Sequence, residues 1–419
     1  MKNGKFLKWS LALALLAGPA WAKAALPAAE PTVAADDDSA LADPGEDTDA
    51  PSAVSVSDLE ILSNKISDLA KSAKVGLLLQ THYDNTGFNP LLPKGFSSPT
   101  KVSAETGKAY NDLFLGKRAE ISFTGDLADK KIAYKVQYDP LATTTAKAGV
   151  SNGEQLKDYW VKASYVPFAD LQFGQYKYAQ ALEGRTPSGE LDFANTAFIT
   201  TALEGRRDLA FQVSGSKIPA GPLAVEYAVA LVQGAGQNSG ADNNDSKDFA
   251  GRVGVTVPDT NWNLYLGASA YAGTEPDAGV TTTTPASVVH AGWDRNNLGF
   301  EGRLTVGGLK LQGEYIQGQL EPGNNYNPWA GSSLANAKLS KPEGWYATAS
   351  YRYQDWRLGV RGESYDPDNT KGSPFNKNSD ILTVGLDWFQ GKDKFKLSAD
   401  YEKHFNQYDA FVGQAQINL

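Results

Sequence analysis

Between Gln175 and Arg207 the segment "QYKYAQALEGRTPSGELDFANTAFITTALEGRR" gathers the cations Lys177, Arg185, Arg206 and Arg207 against the carboxylates Glu183, Glu190 and Glu204. Such a set forms and breaks no bonds. In a narrow aqueous passage, however, a few fixed charges at close quarters discriminate ions by sign. The same segment carries Leu191, Phe193, Phe198 and Ile199, which an exposed loop would not favour, so residues 179–206 are expected to fold inward against a wall.

Other residue types that could do chemistry give weaker signals. The three histidines (His82, His290, His404) are isolated from any nucleophile-elbow sequence, which leaves a lipid hydrolase as a minor alternative. "DPDNTKGS" at 366–373 has calcium-loop spacing, but Lys377 stands where the bidentate acid belongs, so it reads as a turn. "GAGQNSG" at 234–240 misses the nucleotide-loop pattern and joins two strands. The triplet Asp36, Asp37, Asp38 reads as a solvated charge run rather than a cation site. No cofactor and no metal are expected.

The elements that must position the charges have a period of two. In "LFLGKRAEISFTGDL", residues 113–127, Ala119, Ile121 and Phe123 alternate with Arg118, Glu120, Ser122 and Thr124. "KIAYKVQY" sets Ile132, Tyr134, Val136 and Tyr138 against Lys131, Ala133, Lys135 and Gln137. Sixteen such segments run from 74–84 to 411–419. The links after even-numbered segments are tight and those after odd-numbered ones are long, the last excepted. That asymmetry belongs to an outer-membrane barrel, with short periplasmic turns and long external loops.

The expected fold is therefore all-β: a 16-stranded antiparallel transmembrane β-barrel with a short N-terminal helical coiled-coil segment. Only a closed sheet pairs every backbone group within hydrocarbon. About 16 to 18 strands leave a water-filled channel. The wet face would carry Arg118, Lys135, Lys162, Arg252, Arg303, Lys310, Arg352, Arg357, Arg361 and Lys396. Glu120, Asp158, Glu226, Glu301, Glu314, Glu363, Asp387, Asp400 and Glu402 would join them. Tyr83, Tyr138, Tyr165, Tyr271, Tyr353, Tyr365 and Trp388 suit the interfacial girdles.

Ahead of the strands, residues 1–22 read as an export signal, basic and then briefly apolar, with cleavage after Ala22. Residues 23–53 have an acidic linker composition, and residues 23–60 hold one Lys against ten Asp or Glu. Residues 54–73 space Leu59, Leu62, Ile66, Leu69 and Ala73 at threes and fours, which suits either a short periplasmic coiled coil or one helix lying against its own protein. The barrel occupies 74–419. Cysteine is absent, so neither disulfides nor thiolate metal sites are available. The dispersed basic residues give no nucleic-acid patch.

The pieces "GKRAEISFTGDLADKKIAYKVQYD", "LKDYWVKASYVPFADLQFGQYKYAQALEG" and "RRDLAFQVSG" resemble the phosphate-selective porin O/P family. The resemblance is strongest at Gly174, Gln175, Tyr176 and Lys177, where the family has a Gly-Gln-aromatic-Lys turn leading into its constriction loop. It implies a homotrimeric porin passing small hydrophilic solutes or anions; an even strand number returns both termini to the periplasmic side, so the N-terminal segment would be periplasmic and the barrel would lie among the outer-membrane lipids of a Gram-negative bacterium. The pore constriction and anion path would comprise Lys177, Arg185, Arg206, Arg207, Lys162 and Arg118. In phosphate-preferring members a ladder of arginines and a lysine cluster line the pore; here acids match the inward bases almost one for one. A barrel acting only as an envelope anchor is the structural alternative.

Overall fold

The computed structural model describes residues 73–87, 101–102, 109–127, 129–142, 155–204, 207–239, 246–259, 261–275, 293–320, 341–367, 369, 379–405 and 408–419. The expected signal and linker, the coil up to residue 72, and Arg206 lie outside the described residues. No described helix is long and apolar enough to cross a membrane.

Sixteen strands form the wall. In chain order β1 to β8 are Lys74–Gly87, Ala109–Leu127, Ile132–Tyr138, Leu156–Val166, Ala169–Tyr176, Asp208–Ala220, Leu223–Val232 and Asp248–Pro258. Strands β9 to β16 are Trp262–Glu275, Trp293–Val306, Leu309–Leu320, Glu343–Tyr353, Trp356–Asp366, Ser379–Gln390, Phe395–His404 and Tyr408–Asn418. Lys101–Val102 add a two-residue ladder to β2. Each strand pairs antiparallel with its successor, and β16 returns to β1 through Leu78↔Asn418 to Gly87↔Asp409. Closure leaves the wall without an edge, as hydrocarbon requires.

The alternation is visible in exposure. Along β14, Leu382, Val384 and Leu386 are exposed, while Ile381, Thr383 and Asp387 between them are buried. Exposed Phe123, Val136, Val161, Phe173, Phe211, Phe249, Phe300 and Tyr401 continue the apolar outer surface around the barrel. Polar side chains turn inward, where Glu314, Glu363, Asp387, Lys396 and Asp400 are all buried.

Three details depart from the sequence reading. Strand β6 runs on to Ala220 through a bulge between Gly215 and Ile218, beyond the segment 207–215 that alternation marks out; Lys217 takes the left-handed backbone there (φ 53). Tyr271 and Tyr365 do not join a girdle. Both point inward, Tyr271 bonding to Asp248 and stacking on Tyr178 at 5.7 Å, Tyr365 packing on Phe198 at 5.0 Å. Arg352 lies at the short-turn end with Asp393, 2.6 Å away, rather than deep in the lumen.

Candidate functional site: the lumen loop and the basic wall

After Tyr176 the chain leaves β5 and does not return to the wall until Asp208. Between them lie two short helices, α1 (Leu182–Arg185) and α2 (Phe198–Leu203), with a single 3-10 turn at Ser188–Glu190. Helices of four and six residues do not sustain themselves, and neither has a side-chain N-cap, so tertiary contacts must hold them. Those contacts are abundant. Leu182, Leu191, Phe193, Ile199 and Leu203 are buried. Phe193 enters a notch made by Gly359 and Gly385, which face each other across β13 and β14; a Cβ on Gly385 would stand 2.9 Å from the ring.

Polar contacts fix the same segment. Asp192 accepts from Lys310 at 2.5 Å and from Arg357 at 2.8 Å. Lys396 and Arg357 donate to the Leu191 carbonyl. The Ala194 N–H donates to Asp400 at 2.7 Å, Phe198 N–H to Glu363 at 2.5 Å, and Arg361 to the Asn195 carbonyl at 3.0 Å. Gln80 and Gln416 bond the carbonyls of Ser188 and Gly189. The loop thus covers the inward face of β11–β16 and β1, where Lys396 and Arg361 are almost wholly buried.

The wall on β2–β4 keeps its cations half-exposed. Asp158 accepts from Arg207 at 2.6 Å and from Lys135 at 2.8 Å. Lys157 lies 3.2 Å from Glu120 and 3.3 Å from Asp139, and Arg118 lies 3.8 Å from Glu120. Lys177, at the root of the loop, is different. It forms no ion pair among the described residues, although Arg207, Asp158, Arg118 and Glu120 all act on it. Burial, then the repulsion of Arg207, pulls its ammonium down to about 8.

The six sequence-selected residues therefore separate. Lys177, Arg207 and Arg118 come together; Arg118 also donates to Gln80 at 2.6 Å and so reaches the loop indirectly. Arg185 is turned to the opposite side, 3.4 Å from Glu226 of β7 and 3.7 Å from Glu301 of β10. Lys162 sits near the β4–β5 turn, 3.6 Å from Asp170 and away from the loop. Arg206 lies outside the described residues.

Sequence reasoning missed Lys117. A bulge opposite Gln80 and Thr81 inserts it between Gly116 and Arg118, bringing it into reach of the inward-facing Asp84 and Glu402. It too forms no ion pair among the described residues. Strict alternation cannot reveal a residue that an irregularity re-aims. The glycine loop "GAGQNSG" has a local use: Gly236 N–H donates at 2.9 Å to Asp208, and Asn238 N–H donates at 2.7 Å to Gln175. Its glycines cradle an anion, but that anion is the protein's own carboxylate. His82 Nε2 donates to the Gln414 amide oxygen at 2.8 Å and His404 lies 3.2 Å from Glu402, both buried on the inward side; His290 lies outside the described residues. Among the described residues no group of acids and histidines could hold a metal.

Comparison with known proteins adds to this geometry. The family model of phosphate-selective porin O and P matches residues 101–410. No curated protein matches the chain. Among solved structures, an anion-selective porin from Comamonas acidovorans superposes with a TM-score of 0.52 at 11% identity, covering 83% of this chain and 99% of its own. OmpF of Salmonella typhi in complex with daunomycin gives 0.51 at 9% identity, with 84% and 99% covered. The trimer form of OmpT, an outer membrane protein of Vibrio cholerae, gives 0.50 at 12% identity, with 83% and 99% covered.

Proposed function

The chain belongs to the phosphate-selective porin O and P family, and from that premise we propose that it is an anion-preferring channel whose selective surface is the basic wall of β2–β4 with the loop root. It is an outer-membrane porin, and small hydrophilic solutes pass through it by diffusion. The observation that carries the anion preference is the charge balance around Lys177. Among the described residues five cations (Arg118, Lys135, Lys157, Lys177, Arg207) meet three carboxylates (Glu120, Asp139, Asp158), and none of those carboxylates pairs with Lys177.

An anion passing that wall exchanges part of its hydration shell for ammonium and guanidinium donors, then leaves because no single donor set encloses it. Arg207 and Lys135 share Asp158, so they contribute partial rather than full charge. Lys117 extends the positive surface along β2. A homotrimer in the outer membrane, with the N-terminal segment in the periplasm, is consistent with this reading.

The test is the reversal potential of the purified protein in a planar bilayer under a tenfold KCl gradient. A value on the chloride side supports the reading. A value on the potassium side refutes the anion preference, and a silent protein favours the anchor.

A further inference from the structure

The seam between the loop and the β10–β12 wall is built from carboxylates in excess. Glu183 and Glu204 come from the loop, Glu301 from β10 and Glu314 from β11. Glu314 (4% exposed) accepts from the Glu183 N–H and from the Tyr346 hydroxyl through one oxygen, both at 2.5 Å. Glu204 accepts from the Ala181 N–H at 3.2 Å through one oxygen. The second oxygens of Glu204, Glu301 and Glu314 are buried and meet no donor.

The cations facing the seam do not restore the balance. Arg185 lies 3.7 Å from Glu301 but also 3.4 Å from Glu226, which is bound in turn by Arg252 of β8. Arg361 of β13 lies 3.8 Å from Glu183 and 3.1 Å from Glu363. Arg295 of β10 donates to the Leu203 carbonyl. Among the described residues four arginines thus face six glutamates, with Tyr265 and Tyr346 adding only hydroxyls. Glu204 and Glu314 have no cation beside them among the described residues and each keeps one buried oxygen without a donor, and a buried carboxylate so placed takes a proton there.

We propose that the loop is latched to the wall by protonated carboxyls of Glu204 and Glu314, so that the constriction is docked at acid and neutral pH and is released as the medium becomes alkaline. The loop-borne groups agree. Burial, then the Glu314 charge, holds Glu204 well above the ordinary carboxylate range, and burial raises Glu183. A carboxyl raised in the docked state binds more protons there than when released. Docking is therefore strongest below the ordinary carboxylate range and weakens through the interval up to the raised value. The latch is distinct from the ion preference proposed above, since it holds the loop at the β10–β12 wall while Lys177 and Arg207 stand at the loop root beside β2–β4.

The experiment is single-channel recording from pH 5 to 9, paired with labelling of a Thr196→Cys variant, whose introduced thiol is unique because the chain has no cysteine. Labelling is normalised at each pH to that of the unfolded variant, which removes the titration of the thiol itself. The expected result is a rise in conductance or open-channel noise on the alkaline side, with normalised labelling rising several-fold over the same interval. Glu204→Gln and Glu314→Gln keep a neutral side chain at each position and should remain docked, flat in both readouts to pH 9. Wild-type recordings and normalised labelling that stay flat across the range would overturn the latch, as would glutamine variants that titrate like wild type. A change in reversal potential alone reports on Lys177 and counts against the latch.

Discussion

Lys177→Glu isolates the charge on which the ion preference rests. Five cations and three carboxylates become four of each, so the local excess of two positive charges disappears. For an ion passing about 6 Å away in an effective dielectric of about 60, each unit charge is worth about 0.9 kcal/mol. The change of two units is then about 1.8 kcal/mol, and a screening length of about 10 Å at 0.1 M salt leaves about 1 kcal/mol. Anion and cation feel it with opposite sign, so the permeability ratio should move by about 2 kcal/mol, more than roughly tenfold, towards cations. The assay is the reversal potential in a KCl gradient at pH 6, where the wild-type ammonium is fully charged. A shift below about twofold would place Lys177 away from the ion path and refute the reasoning.

Because burial and Arg207 lower Lys177 to about 8, anion preference should fall as pH rises through that value, while Lys177→Arg should hold it to pH 9; a pH-independent wild-type reversal potential would contradict this. Phe193→Ala empties the notch between Gly359 and Gly385 and should weaken loop docking by about 3–5 kcal/mol, giving larger and noisier conductance steps. Gly385→Val fills the notch from the wall side and should displace the same loop, read as increased labelling of an introduced thiol at Thr196. Asp393→Asn removes an exposed pair with Arg352 at the short-turn end; the loss should stay below about 1 kcal/mol in thermal unfolding, with conductance unchanged.

The barrel was legible because every wall strand must be apolar on one side and tolerate water on the other, a constraint that writes itself into alternate residues. Val136 with Lys135, and Leu382 with Thr383, show it directly. The inward residues were legible for the same reason: Lys310, Arg357, Arg361 and Lys396 all reach the lumen loop. What alternation cannot carry is partnership. Arg185 and Lys177 look alike in sequence, yet one is held between Glu226 and Glu301 and the other forms no ion pair among the described residues, because strands remote in sequence bring the acids to one and not the other. Lys117 was hidden by a bulge, and the run of β6 past residue 215 by a second bulge, after which Pro219 and Ala220 still pair with Ala224 and Leu223. Tyr271 and Tyr365 were misread because an aromatic near a strand end suits a girdle equally well as a loop-packing position.

The central claim is that lipid lies outside and water inside, and the absence of cysteine allows it to be tested position by position. Single cysteines at the inward, half-exposed positions Lys135, Lys162 and Arg303 should react with a membrane-impermeant thiol reagent in the folded, membrane-embedded protein. Cysteines at the outward positions Val136, Val161 and Leu311 should not. Equal reaction at both sets, or reaction at the outward set alone, would contradict the barrel and everything built on it.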